Sequence, residues 1–167
     1  SLAIKYFYFG QRDSLQWVLK EGKKRGGFGD YLLGLNKKAL EACPEKTILF
    51  STGDNNTFSL LYLQELEGFR KDVSVLDINL LNRSWYTDLI EKTNLVSFNM
   101  NSEEMDSVKR ISWSDSVVTI HGFTWTVKPS YNDDSSSYII RRDQLFLSLL
   151  RENAWKRNIY FTHGFRD

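Results

Sequence analysis

Residues 47–90, TILFSTGDNNTFSLLYLQELEGFRKDVSVLDINLLNRSWYTDLI, constrain the fold more than any other part of the chain. They read as strand, polar turn, apolar helix, strand, polar turn and helix, the order expected of a parallel α/β sheet. The short apolar run at 47–51 has the character of a strand covered on both faces. Residues 58–67 place Phe58, Leu60, Leu61, Tyr62, Leu63 and Leu66 around much of a helix, which must therefore be buried on more than one side. Gly68 stops that helix, 73–78 supplies a second strand, and Ser84 or Asn82 caps a helix through Trp85, Tyr86, Leu89 and Ile90.

The rest of the chain is read outward from this centre. Asp13 can cap a helix at 14–24 that ends at Gly26-Gly27, and Asp30 can cap a second helix carrying Leu32, Leu33, Leu35, Leu40 and Ala42 up to Pro44. The pattern weakens between 94 and 116, where Glu103, Glu104 and Asp106 suggest a loop or a short helix. Residues 117–127 are β-like, with His121-Gly122 as a two-residue hairpin turn. A polar loop at 131–137 precedes a helix at 144–153 capped by Asp143, and 159–162 is a closing strand. The expected fold class is α/β, Rossmann-like in its sequence of elements. A mostly parallel sheet (47–51, 73–78, 159–162) is flanked by helices, with an added β-hairpin and an N-terminal helical pair. No domain boundary is evident, so residues 1–167 are expected to form one domain, 1–46 as a helical layer and 47–167 as a sheet-containing core.

Composition excludes several function classes. A net charge of +1 does not favour nucleic acid, which calls for a basic surface. Charge is uneven along the chain: residues 1–46, 47–116 and 117–167 carry +4, −5 and +2. The cluster Lys20, Lys23, Lys24 and Arg25 could face a membrane or an acidic partner, and it equally suits the negative pole of a solvated helix end. Cys43 is the only cysteine, so neither an internal disulfide nor a thiolate metal cluster can form. There is no apolar run of membrane-spanning length and no leader pattern, and a chain opening on Ser1 fits a processed protein or part of a longer one.

The candidate ligand-binding residues are Asp54, Asn55, Asn56, Thr57, Asn82, Arg83 and His163, all placed by sequence just beyond strands. Open α/β sheets bind ligands at the carboxyl edge of their strands. A helix start offers free N–H groups and a favourable dipole for an anion. The Asp54 carboxylate opposes phosphate there and suits sugar hydroxyls or a cation instead. The alternative is that Asp54, Asn55 and Asn56 only shape a turn. Arg83 could add positive charge or pair with Asp54, and His163 could complete a pocket. No GxSxG, HExxH or GxxxxGK[ST] motif is present, and His121 and His163 lack metal-ligand spacing, so no catalytic residue, metal or cofactor is assigned. Trp85 and Tyr86 could stack on a sugar, but aromatics opening an apolar helix usually belong to the core.

Residues 53–89, GDNNTFSLLYLQELEGFRKDVSVLDINLLNRSWYTDL, resemble a motif of the large multi-pass, protein O-mannosyltransferase-like membrane proteins of Bacteroidetes-type bacteria. There it reads close to GDNDTFPLWYLQEVEG, followed by a strand and LLNTDWY, in a soluble segment after the membrane helices. Asn56 stands in place of the second Asp, Ser59 of Pro and Leu61 of Trp, while Leu80, Leu81, Asn82, Trp85 and Tyr86 fit. RRDQLFLSLLRENAWKRNIYFT, ending at Thr162, is similar to the family's helix followed by WKRPIYFA, with Asn158 in place of Pro.

The resemblance implies a periplasmic or otherwise extracytoplasmic domain, joined to the membrane through a parent chain and contacting a glycan or protein partner. It implies no catalysis by this segment, because acidic residues in loops of the membrane part would carry glycosyl transfer. The competing expectation is a small nucleotide-sugar-binding protein or enzyme that uses the carboxyl edge of the sheet.

Overall fold

The computed structural model describes residues 2–132 and 136–163, which pack as two compact units, Ser1–Asp77 with Asn158–Asp167 and Ile78–Arg157. The first unit begins with α1 (Leu2–Tyr8), α2 (Arg12–Lys24) and α3 (Asp30–Ala42), one short helix more than the expected pair. It continues through β1 (Ile48–Ser51), α4 (Asp54–Glu65) and β2 (Ser74–Asp77), and is completed by β8 (Ile159–Phe161). The second unit holds a 3₁₀ turn at Asn79–Asn82, α5 (Ser84–Thr93), α6 (Ser102–Ser107), β3 (Ile111–Ser112), β4 (Ser116–Ile120), β5 (Phe123–Val127), β6 (Tyr131–Asn132), β7 (Ser137–Ile139) and α7 (Arg141–Asn153).

The expected parallel sheet is present, in the order β2-β1-β8. Ile48 pairs with Ser74 and Ile159, and Phe50 with Leu76 and Phe161. All four β1 residues are buried, as a short apolar strand hydrogen-bonded on both edges requires. Leu49 joins Phe28, Leu33, Leu40, Leu60 and Leu63 in the core, while Phe50, on the alternate face, stacks on Phe161 at 5.5 Å. As its ring of apolar positions demands, α4 buries Leu60, Leu61 and Leu63 together with Thr57, Ser59 and Gln64. Gln64 spends its amide on the carbonyls of Arg70 and Val73, at 2.9 and 2.8 Å, tying the end of α4 to the entry of β2.

Helix starts lie earlier than the sequence reading put them. α4 begins at Asp54, not at residue 58, because Gly53, at φ 81°, makes the turn by itself and its carbonyl accepts the Thr57 N–H. Asp13 and Asp30 likewise lie inside the first turn of their helices instead of capping them, while Asp143, at the third helical position, caps α7 from within. A carboxylate there still meets the positive end of the dipole, so the same residue type serves from a neighbouring position.

Arg70 brings a charged donor to the carbonyls at and just beyond the end of α3, where the helix's own bonds run out. Its guanidinium donates to Leu40 O and Cys43 O at 2.7 and 2.8 Å and to Pro44 O at 3.1 Å. Asp72 accepts two further bonds from the same group, both 2.8 Å. The Arg70 bonds hold the Asp72 carboxyl down from 3.8 to about 2. A depressed carboxyl stabilises the fold above its unfolded value and ceases to as pH falls through its folded one. The stability difference between wild type and Asp72→Asn is therefore expected at neutral pH and should close as pH drops from about 4 towards 2. Urea unfolding across that range tests this, and a pH-independent difference would exclude the pairing. Cys43 is buried beside this clamp, its thiol pushed up by burial, as a structural residue's would be.

In the second unit the expected hairpin is β4–β5, and His121 and Gly122 both have positive φ, 46° and 84°. Such dihedrals match the right-handed twist of the flanking strands. The acidic stretch is α6, opened by a reciprocal capping box between Asn101 and Glu104. Strands β3, β7 and β6 form a small antiparallel sheet, and β6 falls within the expected 131–137 loop, of which residues 133–135 lie outside the described residues. Asp143 accepts the Ile140 N–H at 2.9 Å and the Ser130 hydroxyl, fixing the start of α7.

Candidate functional site

The first turn of α4 divides its residues by direction. Asp54 and Asn55 are exposed, and their side chains make no hydrogen bond or ion pair among the described residues. Asn56 folds back, donating to Thr52 O at 3.0 Å. Thr57 is buried: its hydroxyl donates to Asp77 Oδ2 and meets Ser51 Oγ, each at 2.8 Å. Ser51 ends β1 and Asp77 ends β2, so this chain of side chains ties the carboxyl ends of two strands to the helix between them.

A second buried network backs the turn. Asn36, fully buried on α3, donates to Ser59 Oγ, and Ser59 donates to Asn56 O at 3.0 Å. Asn36, Ser51 and Asp77 were not candidates from the sequence, whereas Thr57 was, as a ligand contact, and the structure instead buries it as a link between strand ends. A signal for the inward direction of Thr57 was available, because 57, 60, 61 and 64 share a helical stripe at three- and four-residue spacing with apolar members.

Asp54 and Asn55 also border a cavity of about 300 Å³ in the first unit, walled on its apolar side by Leu2, Val18, Leu19, Phe28 and Phe58. A carboxylate, a carboxamide and the free N–H groups of a helix start offer acceptors and donors together. That combination suits a hydroxyl-bearing ligand better than a phosphate. His163 is exposed and follows β8, on the same carboxyl edge of the sheet as the β1–α4 turn, and the neighbouring Thr162 is buried with its hydroxyl unpartnered among the described residues.

Asn82 and Arg83 belong to the second unit. Asn82 is engaged there, its Oδ1 accepting the Arg142 N–H at 3.0 Å, as Asn79 Oδ1 accepts from the Arg142 guanidinium at 2.9 Å. Arg83 is exposed and is the N-cap residue of α5, in place of Asn82 or Ser84. Trp85 is partly exposed and Tyr86 buried, their rings edge to face at 5.7 Å. Within the basic cluster, Lys23 pairs with Asp30 at 3.2 Å, which raises its pKa, while Lys24 and Arg25 both approach Glu21. Among the described residues no group of three or more His, Cys, Asp or Glu is placed to hold a metal ion.

The fold is that of an α/β domain, a small parallel sheet flanked by helices with a polar helix start at its carboxyl edge. The family TMEM260-associated domain 2 matches residues 33–132, from α3 to β6, and the chain belongs to that family. The family name associates it with TMEM260, a protein O-mannosyltransferase-like membrane protein. Comparison with curated proteins and with solved structures gives no match. None of the helices of the described residues is long and apolar enough to cross a membrane.

Proposed function

We propose that this chain is a non-catalytic, extracytoplasmic domain of a glycosyltransferase-like membrane protein of the Bacteroidetes type, and that it contacts a glycan or protein partner of its parent. The observation that carries this reading is the family match over residues 33–132, which includes the whole GDNNTF helix start. The outward pair Asp54 and Asn55 makes the ligand contact, with His163 on the same sheet edge, while Asn56 and Thr57 hold the turn in place. On the second unit, exposed Arg83 is the corresponding contact residue, and Asn82 positions the chain beside it.

A thermal-shift series of the purified chain against oligosaccharides, nucleotide sugars and divalent cations tests the site, with Asp54→Ala in parallel. A ligand at about 100 times its Kd should add roughly 2.7 kcal/mol to stability, an increment lost in the variant. Without ligand, Asp54→Ala should cost only about 0.3–1 kcal/mol, the dipole contribution of one exposed carboxylate. No shift with any ligand, together with that small loss, would leave Asp54 as a helix-start residue alone. A shift confined to nucleotide sugars would favour the competing nucleotide-sugar-binding reading.

A further inference from the structure

We propose that Trp155 and Phe123 form a saccharide-stacking site on the second unit, a site that shares no residue with the α4 turn. Trp155 is 39% exposed and Phe123 62%, and their rings meet edge to face with centroids 4.9 Å apart. In an edge-to-face pair one ring spends only its edge, so aromatic faces stay open to solvent.

The backbone holds this pair at a cost. Ala154 and Trp155 both lie at positive φ, 45° and 59°. One left-handed residue suffices to end a helix, and Ala154 provides it. The second, on a bulky aromatic, is a conformation that persists only where the surroundings enforce it. Here the buried Asn153 enforces it: its side chain donates to Arg157 O at 2.9 Å and accepts the Arg157 N–H at 3.2 Å, while its carbonyl accepts the Lys156 N–H at 2.8 Å. The Arg157 guanidinium in turn donates to Leu95 O at 2.9 Å. Phe123 is fixed from the other side, because the hairpin tip is anchored by His121 Nε2 against Arg151 O at 2.7 Å. Two aromatic rings are thus preset at the surface by side-chain-to-backbone hydrogen bonds of the segments that carry them.

The size and surroundings of the patch indicate its occupant. Together the two rings expose on the order of 200 Å², far below the roughly 800 Å² that each side of a stable protein interface buries. Close to Trp155 in the chain, Arg151, Glu152 and Lys156 are exposed, with side chains that make no hydrogen bond or ion pair among the described residues. Exposed aromatic faces with uncommitted donors and an acceptor on the same segment suit the apolar face and hydroxyl rim of a sugar ring.

Saturation-transfer NMR of the full chain with cellotriose, maltotriose, chitotriose and mannotriose tests the proposal. Transfer to the ring protons of at least one sugar is expected, with affinity reduced about tenfold or more in Trp155→Ala, less in Phe123→Ala, and retained in Trp155→Phe. Tyr31→Ala, which removes an aromatic side chain 85% exposed on α3, should bind as wild type. Absence of transfer from all four sugars overturns the proposal, as does binding that survives Trp155→Ala in a folded protein. Binding lost in Asp54→Ala instead overturns it in favour of the α4 turn. A dimer or protein complex abolished by Trp155→Ala, without sugar binding, assigns the rings to a protein contact and overturns it equally.

Discussion

Replacing Arg141 by methionine is expected to cost about 4 kcal/mol of unfolding free energy, a larger loss than any substitution in the α4 turn should produce. Arg141 opens α7, with a side chain only 11% exposed, and serves three elements of the second unit at once. It donates to Leu81 O at 3.2 Å, to Thr87 Oγ1 at 3.0 Å and to the carbonyl of Met105, and it approaches Asp106 at 3.8 Å. Leu81 and Met105 are themselves buried, so methionine fills the volume but leaves their carbonyls without the charged donor. Charge-assisted bonds contribute about 1.5–3 kcal/mol each, and an unmet buried partner adds its desolvation penalty. For a chain of this size the melting temperature should fall by roughly 10 °C. Hydrogen exchange should show the loss in the amides of α5, α6 and α7. A change below about 1 kcal/mol in urea unfolding would mean that the guanidinium is replaceable by water.

Thr57→Val is expected to cost about 2–3 kcal/mol, several times the effect of Asp54→Ala three residues away. Valine keeps the branched shape but removes the hydroxyl that links Ser51 to Asp77. Asp77 is 2% exposed, and water cannot replace the lost donor without opening the sheet edge. Thr57→Ser, which keeps the hydroxyl, should recover most of the loss. Guanidinium unfolding of the three variants measures the contrast, and equal losses for Thr57→Val and Asp54→Ala would remove the division of the turn into an inward and an outward half.

That division shows where sequence reading reached its end. The strands at 47–51 and 73–78 were legible because each is an apolar run bounded by turn residues, and the hairpin because His121-Gly122 separates two β-rich runs. The start of α4 was not, since Asp54, Asn55 and Asn56 suit a turn as well as a first helical turn, and only the dihedral of Gly53 decides between them. Strands β3, β6 and β7 are two or three residues long, too short for any alternation to register. Arg141 was invisible as a hub because its partners come from sequence positions 54–60 and 36 residues away. At the candidate site the residue types were readable, but their directions depended on Asn36 and Asp77, contributed by other elements.

The pairing of β1 on both edges has a consequence for how the protein is made. Ile48 meets Ser74 early in the chain, but its other neighbour, Ile159, lies roughly 110 residues further on. While that later segment is still being synthesised, an apolar strand waits with one row of backbone donors and acceptors unpaired. Exposed edges of this kind recruit other chains. The arrival of β8 therefore moves the open edge from a wholly buried apolar strand to one whose own residues are partly exposed.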